Sequence, residues 1–189
     1  MNPILDPYPS DYKGYLIRTD FRIGIQITLC MEDPELTENE KSMICVQLLY
    51  GSGIPPVKTA IDGITWFMSG GQEKTEGGDG KTVMSFEHDA GRILSGFRRI
   101  YGIDLNRAKM HWFEFLSLLG DLGDCALNSV IDIRTRDMTG MKGRSRQHME
   151  RLKEKYALPV VYSREEQDMI DAFFNSGKAG SQQDTPGNG

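Results

Sequence analysis

Little in this sequence points toward covalent chemistry or a membrane. Cysteine is scarce: Cys30, Cys45 and Cys125 are an odd set with no close pair, each within an apolar pattern. That excludes a disulfide framework and reads as buried thiols in a reducing compartment. No apolar run approaches the roughly 18 residues of a membrane span. Residues 1–10 have neither the basic start nor the apolar core of a signal peptide, so the protein is expected in the cytoplasm where it is made. Basic residues are not in excess either, and the net charge of -5 argues against a general binder of nucleic acid or anionic membrane.

Reactive constellations are missing too. Gly80, Lys81 and Thr82 spell the end of a phosphate-binding loop, but position 75 is threonine where that loop needs glycine, and no strand precedes it. His88, His111 and His148 lack the repeated local pairs of zinc and di-iron sites. His111 and Glu114, three apart, fit a helix-surface contact. No serine or cysteine occupies a glycine-flanked elbow. No catalytic, cofactor-binding or metal-ligating residue is assigned, and no cofactor is expected.

What is present is helical periodicity in a chain of 189 residues, long enough for one domain that buries roughly 70% of its unfolded surface. The densest pattern covers residues 85–122. Phe86, Ala90, Ile93, Leu94, Phe97, Ile100 and Tyr101 follow the i, i+3, i+4, i+7 spacing of one helix face, with Ser85 as N-cap and Gly102 as the stop. Residues 111–119 are apolar almost all round, as in a helix buried on several sides. The core is expected from the apolar faces of 57–68, 86–101 and 112–122.

Before that stretch, residues 1–14 read as a lead-in that turns at Lys13 and Gly14. From Phe21 to Leu29 the apolar residues alternate strictly and are mostly β-branched, which favours a strand; Asp20 as N-cap and the Phe21, Ile25, Leu29 row also permit a helix. Thr37 and Glu40 have capping-box spacing ahead of a face formed by Met43, Ile44, Leu48 and Leu49. Pro55 and Pro56 suit the first turn of a helix whose face is Val57, Ala60, Ile61, Ile64, Phe67 and Met68. Glycine and charge then mark a mobile loop at about 71–84.

After the central stretch, Asp124 is placed to cap a helix burying Leu127, Val130 and Ile131. Residues 144–156 form a charged helix whose apolar stripe is only Met149, Leu152 and Tyr156, suited to a surface or a partner-facing seam. Residues 159–175 read as an amphipathic C-terminal helix, with Ser163 and Glu166 at capping-box spacing before Met169, Ile170, Phe173 and Phe174. Residues 176–189 are expected to be disordered. Those seven apolar side chains from Met149 to Phe174 exceed what a narrow charged end needs to expose, which marks the candidate partner-binding surface, with self-association as the other outcome. The basic run Arg134, Arg136, Lys142, Arg144, Arg146, Arg151, Lys153 and Lys155 is interleaved with acids and lacks a stacking aromatic, so a solvated or protein-steering face outweighs nucleic-acid binding.

The order of motifs is familiar. DFR at 20–22, GG at 70–71, FEHDAGRI at 86–93, YGIDL at 101–105, HWFEF at 111–115, LLGDL at 118–122 and IDIR at 131–134 together resemble the bacteriophage family named for gene product 15, over residues 15–158. The resemblance implies a compact, mainly α multi-helix domain with a short extended lead-in, and it turns residues 21–31 toward helix. It also implies a phage or prophage tail-region protein in the host bacterial cytoplasm, a non-enzymatic tail assembly chaperone for tape measure and tail tube proteins. A minor structural place in the virion, or a nucleic-acid-associated role for the 134–155 face, is the alternative.

Overall fold

A computed structural model describes residues 2–72 and 82–160, with Arg164, Glu166 and Met169 beyond them. Among these residues the chain is mainly helical: β1 (Asp11–Tyr12) and β2 (Tyr15–Leu16) lead into α1 (Phe21–Glu32), α2 (Glu38–Tyr50), α3 (Val57–Met68), α4 (Ala90–Tyr101), α5 (Trp112–Gly120), α6 (Ala126–Thr135) and α7 (Gly143–Tyr156). The two strands form an antiparallel hairpin with Tyr12 opposite Tyr15. Its turn places Lys13 at φ 51° and Gly14 at φ 83°, the left-handed pair that a two-residue hairpin requires.

Residues 21–32 are helix, so the strand favoured by alternation alone is corrected. Asp20 caps α1 by accepting from the Arg22 N–H at 3.0 Å. Ile23, Ile27 and Cys30 face inward at i, i+4, i+7, whereas Leu29, part of the alternating series, is exposed. Burial follows the period of 3.6, not 2, because α1 closes on α2 and α5. Its start is tied to that of α5 by Phe21 N–H to Met110 O at 3.0 Å and Trp112 N–H to Thr19 O at 2.8 Å.

The aromatic rings of α5 occupy the centre. Phe115 stacks on Phe21 at 4.9 Å and on Phe97 at 5.1 Å between centroids, and Trp112 stacks on Phe67 at 6.2 Å. Each such pair adds about 0.5–1.5 kcal/mol beyond its buried area. Gly24 permits the approach of α1 to α5: a Cβ there would overlap the Trp112 ring. The expected core stretches thus meet, and Phe67, Phe97, Trp112, Phe115 and Leu122 are all essentially inaccessible.

Several local expectations hold and others shift. The Thr37–Glu40 capping box forms, and Gly102 ends α4 in the left-handed conformation while Ile103 N–H bonds Phe97 O at 3.3 Å. On α2, however, Cys45, Leu49 and Tyr50 are buried while Met43 and Ile44 point outward, and on α3 Val57 and Ile61 are exposed. The rest of each expected face is inward: Leu49, Ala60 and Phe67 are buried, and Leu48, Ile64 and Met68 pack against the core. Helix α4 begins at Ala90; Ser85 instead closes the preceding turn, its Oγ accepting from the Glu87 and His88 N–H groups. Cys125, not Asp124, precedes α6, and no side chain caps it. Of the loop expected at 71–84, residues 73–81 lie outside the described residues, as do most of the C-terminal helix and all of the 176–189 tail.

Candidate functional site

The most concentrated polar cluster is internal. Asp89, fully inaccessible at the start of α4, meets the guanidinium of Arg134 near the end of α6 in a two-pronged pair, Nη1 to Oδ2 at 2.6 Å and Nη2 to Oδ1 at 3.1 Å. Arg92 Nη1 donates to Oδ1 at 2.8 Å and the Ser85 N–H to Oδ2 at 3.1 Å. Arg134 also donates through Nε to Tyr156 O at 2.7 Å and through Nη1 to Val83 O at 3.0 Å, and Lys153 Nζ donates to Arg134 O at 3.1 Å. One ion pair therefore fastens α4, α6, the end of α7 and the residues just before Ser85.

Burial alone would raise the pKa of Asp89. The hydrogen bonds from Arg134 and Ser85, with the charges of Arg134 and Arg92, outweigh it and hold the carboxyl below the ordinary range. A carboxylate kept ionised, closed to solvent and engaged by two guanidinium groups is a structural charge. The sequence reading placed Arg134 on a solvated or partner-steering basic face; the structure instead turns it inward to Asp89.

Two further polar ties organise the opposite end. Arg22 pairs with Asp20 at 3.2 Å and reaches across to Leu105 O at 2.6 Å and Ala108 O at 3.1 Å. His111 caps α5: Nδ1 accepts from the Phe113 N–H at 3.0 Å, which leaves Nε2–H to donate to Pro9 O at 3.0 Å. Burial lowers the pKa of this histidine, against the opposing pull of Pro9 O and Glu114, so the neutral ring is favoured. His111 and Glu114 are not a ligand pair, and among the described residues no group of His, Cys, Asp and Glu is arranged to hold a metal.

Cys30, Cys45 and Cys125 are buried free thiols, as expected. Folding nevertheless brings two of them together across α1 and α2: burial and the adjoining Cys30 push Cys45 up to about 12, which keeps it protonated and unreactive.

Of the candidate partner-binding side chains, Met149 is buried in α7, which packs on α6, while Leu152 and Tyr156 are half-buried. Arg92 lies over the Tyr156 ring at 5.6 Å. Met169 is 66% exposed, and Ile170, Phe173 and Phe174 lie outside the described residues. The basic run is partly consumed internally through Arg134 and Lys153, and Arg146 pairs with Glu150 at 2.9 Å. Arg136, Lys142, Arg144, Arg151 and Lys155 remain exposed.

One cavity of about 880 Å³ opens beside the C-terminal end of α1. Leu29, Pro34, Leu158 and Pro159 give it apolar wall, and Glu32 and Glu87 add carboxylates. Burial and the neighbouring charge of Glu87 raise Glu32, against His88.

Helices packed on an aromatic column, with buried charge committed to backbone and to one another, define a small helical protein; no helix among the described residues is long and apolar enough to cross a membrane. It belongs to the family described as Bacteriophage Gp15 protein, whose model matches residues 4–158. No curated protein and no solved structure matches the chain. Within the match, the DFR, FEHD, HWFEF and IDIR motifs supply side chains of these polar ties, through Asp20, Arg22, Asp89, His111 and Arg134.

Proposed function

We propose that this phage-family protein is a non-enzymatic factor of tail morphogenesis in the host cytoplasm, a tail assembly chaperone that holds tape measure and tail tube proteins before assembly. The supporting observation is a surface one. Met43, Ile54, Val57 and Ile61 are 65, 53, 80 and 41% exposed on α2, on α3 and in the connection between them. A helical partner with an apolar stripe, as a tape measure protein presents, suits such a face through helix-to-helix packing. Nothing in this reading asks for a reactive group.

The test is co-expression with the tape measure and tube proteins of the same phage, followed by affinity capture through a tag on this chain. Val57→Ser with Ile61→Ser should lose the capture while leaving folding intact. Capture unaffected by the double variant places the partner face elsewhere, and the absence of both proteins from the captured material rejects the chaperone reading. The exposed cations of α7 support a second reading, association with nucleic acid, which would show as binding that falls steeply with salt.

A further inference from the structure

Among the described helices, α7 carries the most charge and the fewest buried side chains. It packs chiefly on α6, and Met149 is its one buried residue. Leu152, Lys153 and Tyr156 are half-buried beside it, and Lys153 Nζ is committed to Arg134 O at 3.1 Å. These four residues fix the inward side of the helix. Arg144, His148, Arg151 and Lys155 recur at i, i+4, i+7 and i+11, and at about 100° per residue they fall within roughly 60° of one another. That row lies about a third of a turn round from the inward side, and all four side chains are exposed.

Glu150 and Glu154 interleave with these cations in the sequence but not in space. On the helix they fall about 90–130° from the centre of the row, and Glu150 is taken by Arg146 on the far flank at 2.9 Å. Among the described residues, Arg146 alone of the α7 cations forms an ion pair. Residues 134–155 hold eight Lys and Arg against three acids in a chain of net charge -5, so the rest of the chain is acidic and would turn this side toward an anion. The row is straight and about 16 Å long, a length over which duplex DNA presents roughly ten phosphate charges. No aromatic side chain stands in the row for an unstacked base, which is how single strands are held. The nearest, Tyr156, is half-buried, with Arg92 over its ring at 5.6 Å and Lys155 at 5.3 Å. A duplex meets such a row at any register, whereas an acidic helix must match it residue by residue.

We infer that the outer row of α7, Arg144, His148, Arg151 and Lys155, docks on the phosphate backbone of double-stranded DNA without reading its bases. This rests on the nucleic-acid reading and gives it a site. It is independent of partner capture at α2 and α3, which the Val57 and Ile61 variant tests separately.

Fluorescence anisotropy of a labelled duplex of about 30 base pairs, titrated with the full-length chain, tests this. Binding is expected at low salt, with log Kd rising linearly with the logarithm of salt concentration. Arg144→Gln with Arg151→Gln and Lys155→Gln should weaken it about tenfold or more and lower the salt slope by about 2–3, with the melting temperature unchanged. A control removes the same charge elsewhere: Lys13→Gln with Arg107→Gln and Lys109→Gln, all exposed, should change Kd by less than about threefold. Equal losses from the two triple variants mean that net charge alone is felt, and overturn the inference. Absence of binding by the wild type at low salt overturns it as well. So does tighter binding to a single strand of the same sequence, or competition by polyglutamate as effective as by unlabelled duplex, since each assigns the row to another partner.

Discussion

The chain from α1 to α3 and the chain from α4 to α7 are held together by different means. Among the described residues, seven large apolar side chains between positions 29 and 61 are exposed, whereas from position 90 to 156 Ile100 alone is. The first region closes by apolar packing and leaves apolar surplus outside. The second closes around Asp89 and Arg134 and keeps a polar exterior. Where a fixed ion pair determines how helices meet, no greasy outer surface is needed to support them. Under the proposed function, the surplus on the other region is the partner face.

The sharpest way to break the second region is Arg134→Met. It leaves Asp89 buried without its main counter-charge, a loss of about 3–5 kcal/mol in chemical denaturation. Adding Asp89→Leu should return much of this, because replacing both charges removes the uncompensated one. A double variant as unstable as the single one would mean that the backbone ties of Arg134 to Val83 and Tyr156 matter more than the ion pair.

Breaking the aromatic core that the two regions share calls for a change of volume. Phe97→Ala or Trp112→Ala should cost about 3–5 kcal/mol, and Gly24→Ala about 1–3 kcal/mol or more, since the added methyl meets the Trp112 ring. Melting temperatures decide it, and a neutral Gly24→Ala would show that α1 can draw back from α5 without loss.

Acid should separate two polar ties of the molecule by pH. The lowered His111 pKa contributes stability that is complete above the unfolded value of about 6.5 and is lost as pH falls through the lower folded value. For Asp89 the contribution is complete above about 3.9 and lost as pH falls through its own depressed value. Unfolding followed from pH 8 to pH 3 should therefore show a first, smaller decline that His111→Asn reduces, and a second that is absent from the double Asp89 and Arg134 variant. Smaller still, Thr37→Ala should remove about 1 kcal/mol through its capping box. Least of all in stability, Val57→Ser with Ile61→Ser should fall within about 0.5 kcal/mol of the wild type, while abolishing partner capture.

Local chemistry was the legible part of the sequence. Thr37 with Glu40, Lys13 with Gly14, and Gly102 with Ile103 each act over a few residues, and each forms as its spacing indicates. The inward faces of α2 and α3 were legible only in part: Leu49, Ala60 and Phe67 are buried, but Met43, Ile44, Val57 and Ile61 satisfy the same period and are exposed. The role of Asp89 was equally hidden: its partner Arg134 is 45 residues away. A single charge at helical spacing does not reveal whether its counter-ion is water or a distant arginine. For α1 the residues alone favoured strand, and the helix followed from the family resemblance and from its fit against Trp112.

The paired contacts between Thr19–Phe21 and Met110–Trp112 also set a timetable. Helices α1 to α3 cannot complete their interior until α5 has left the ribosome, about 90 residues later. At roughly 5–20 residues per second, that is an interval of about 5–20 s in which the nascent chain shows its aromatic side chains to the cytosol. Synonymous codons that slow translation between positions 70 and 110 should lengthen this interval and lower the soluble yield, with no change in the finished molecule.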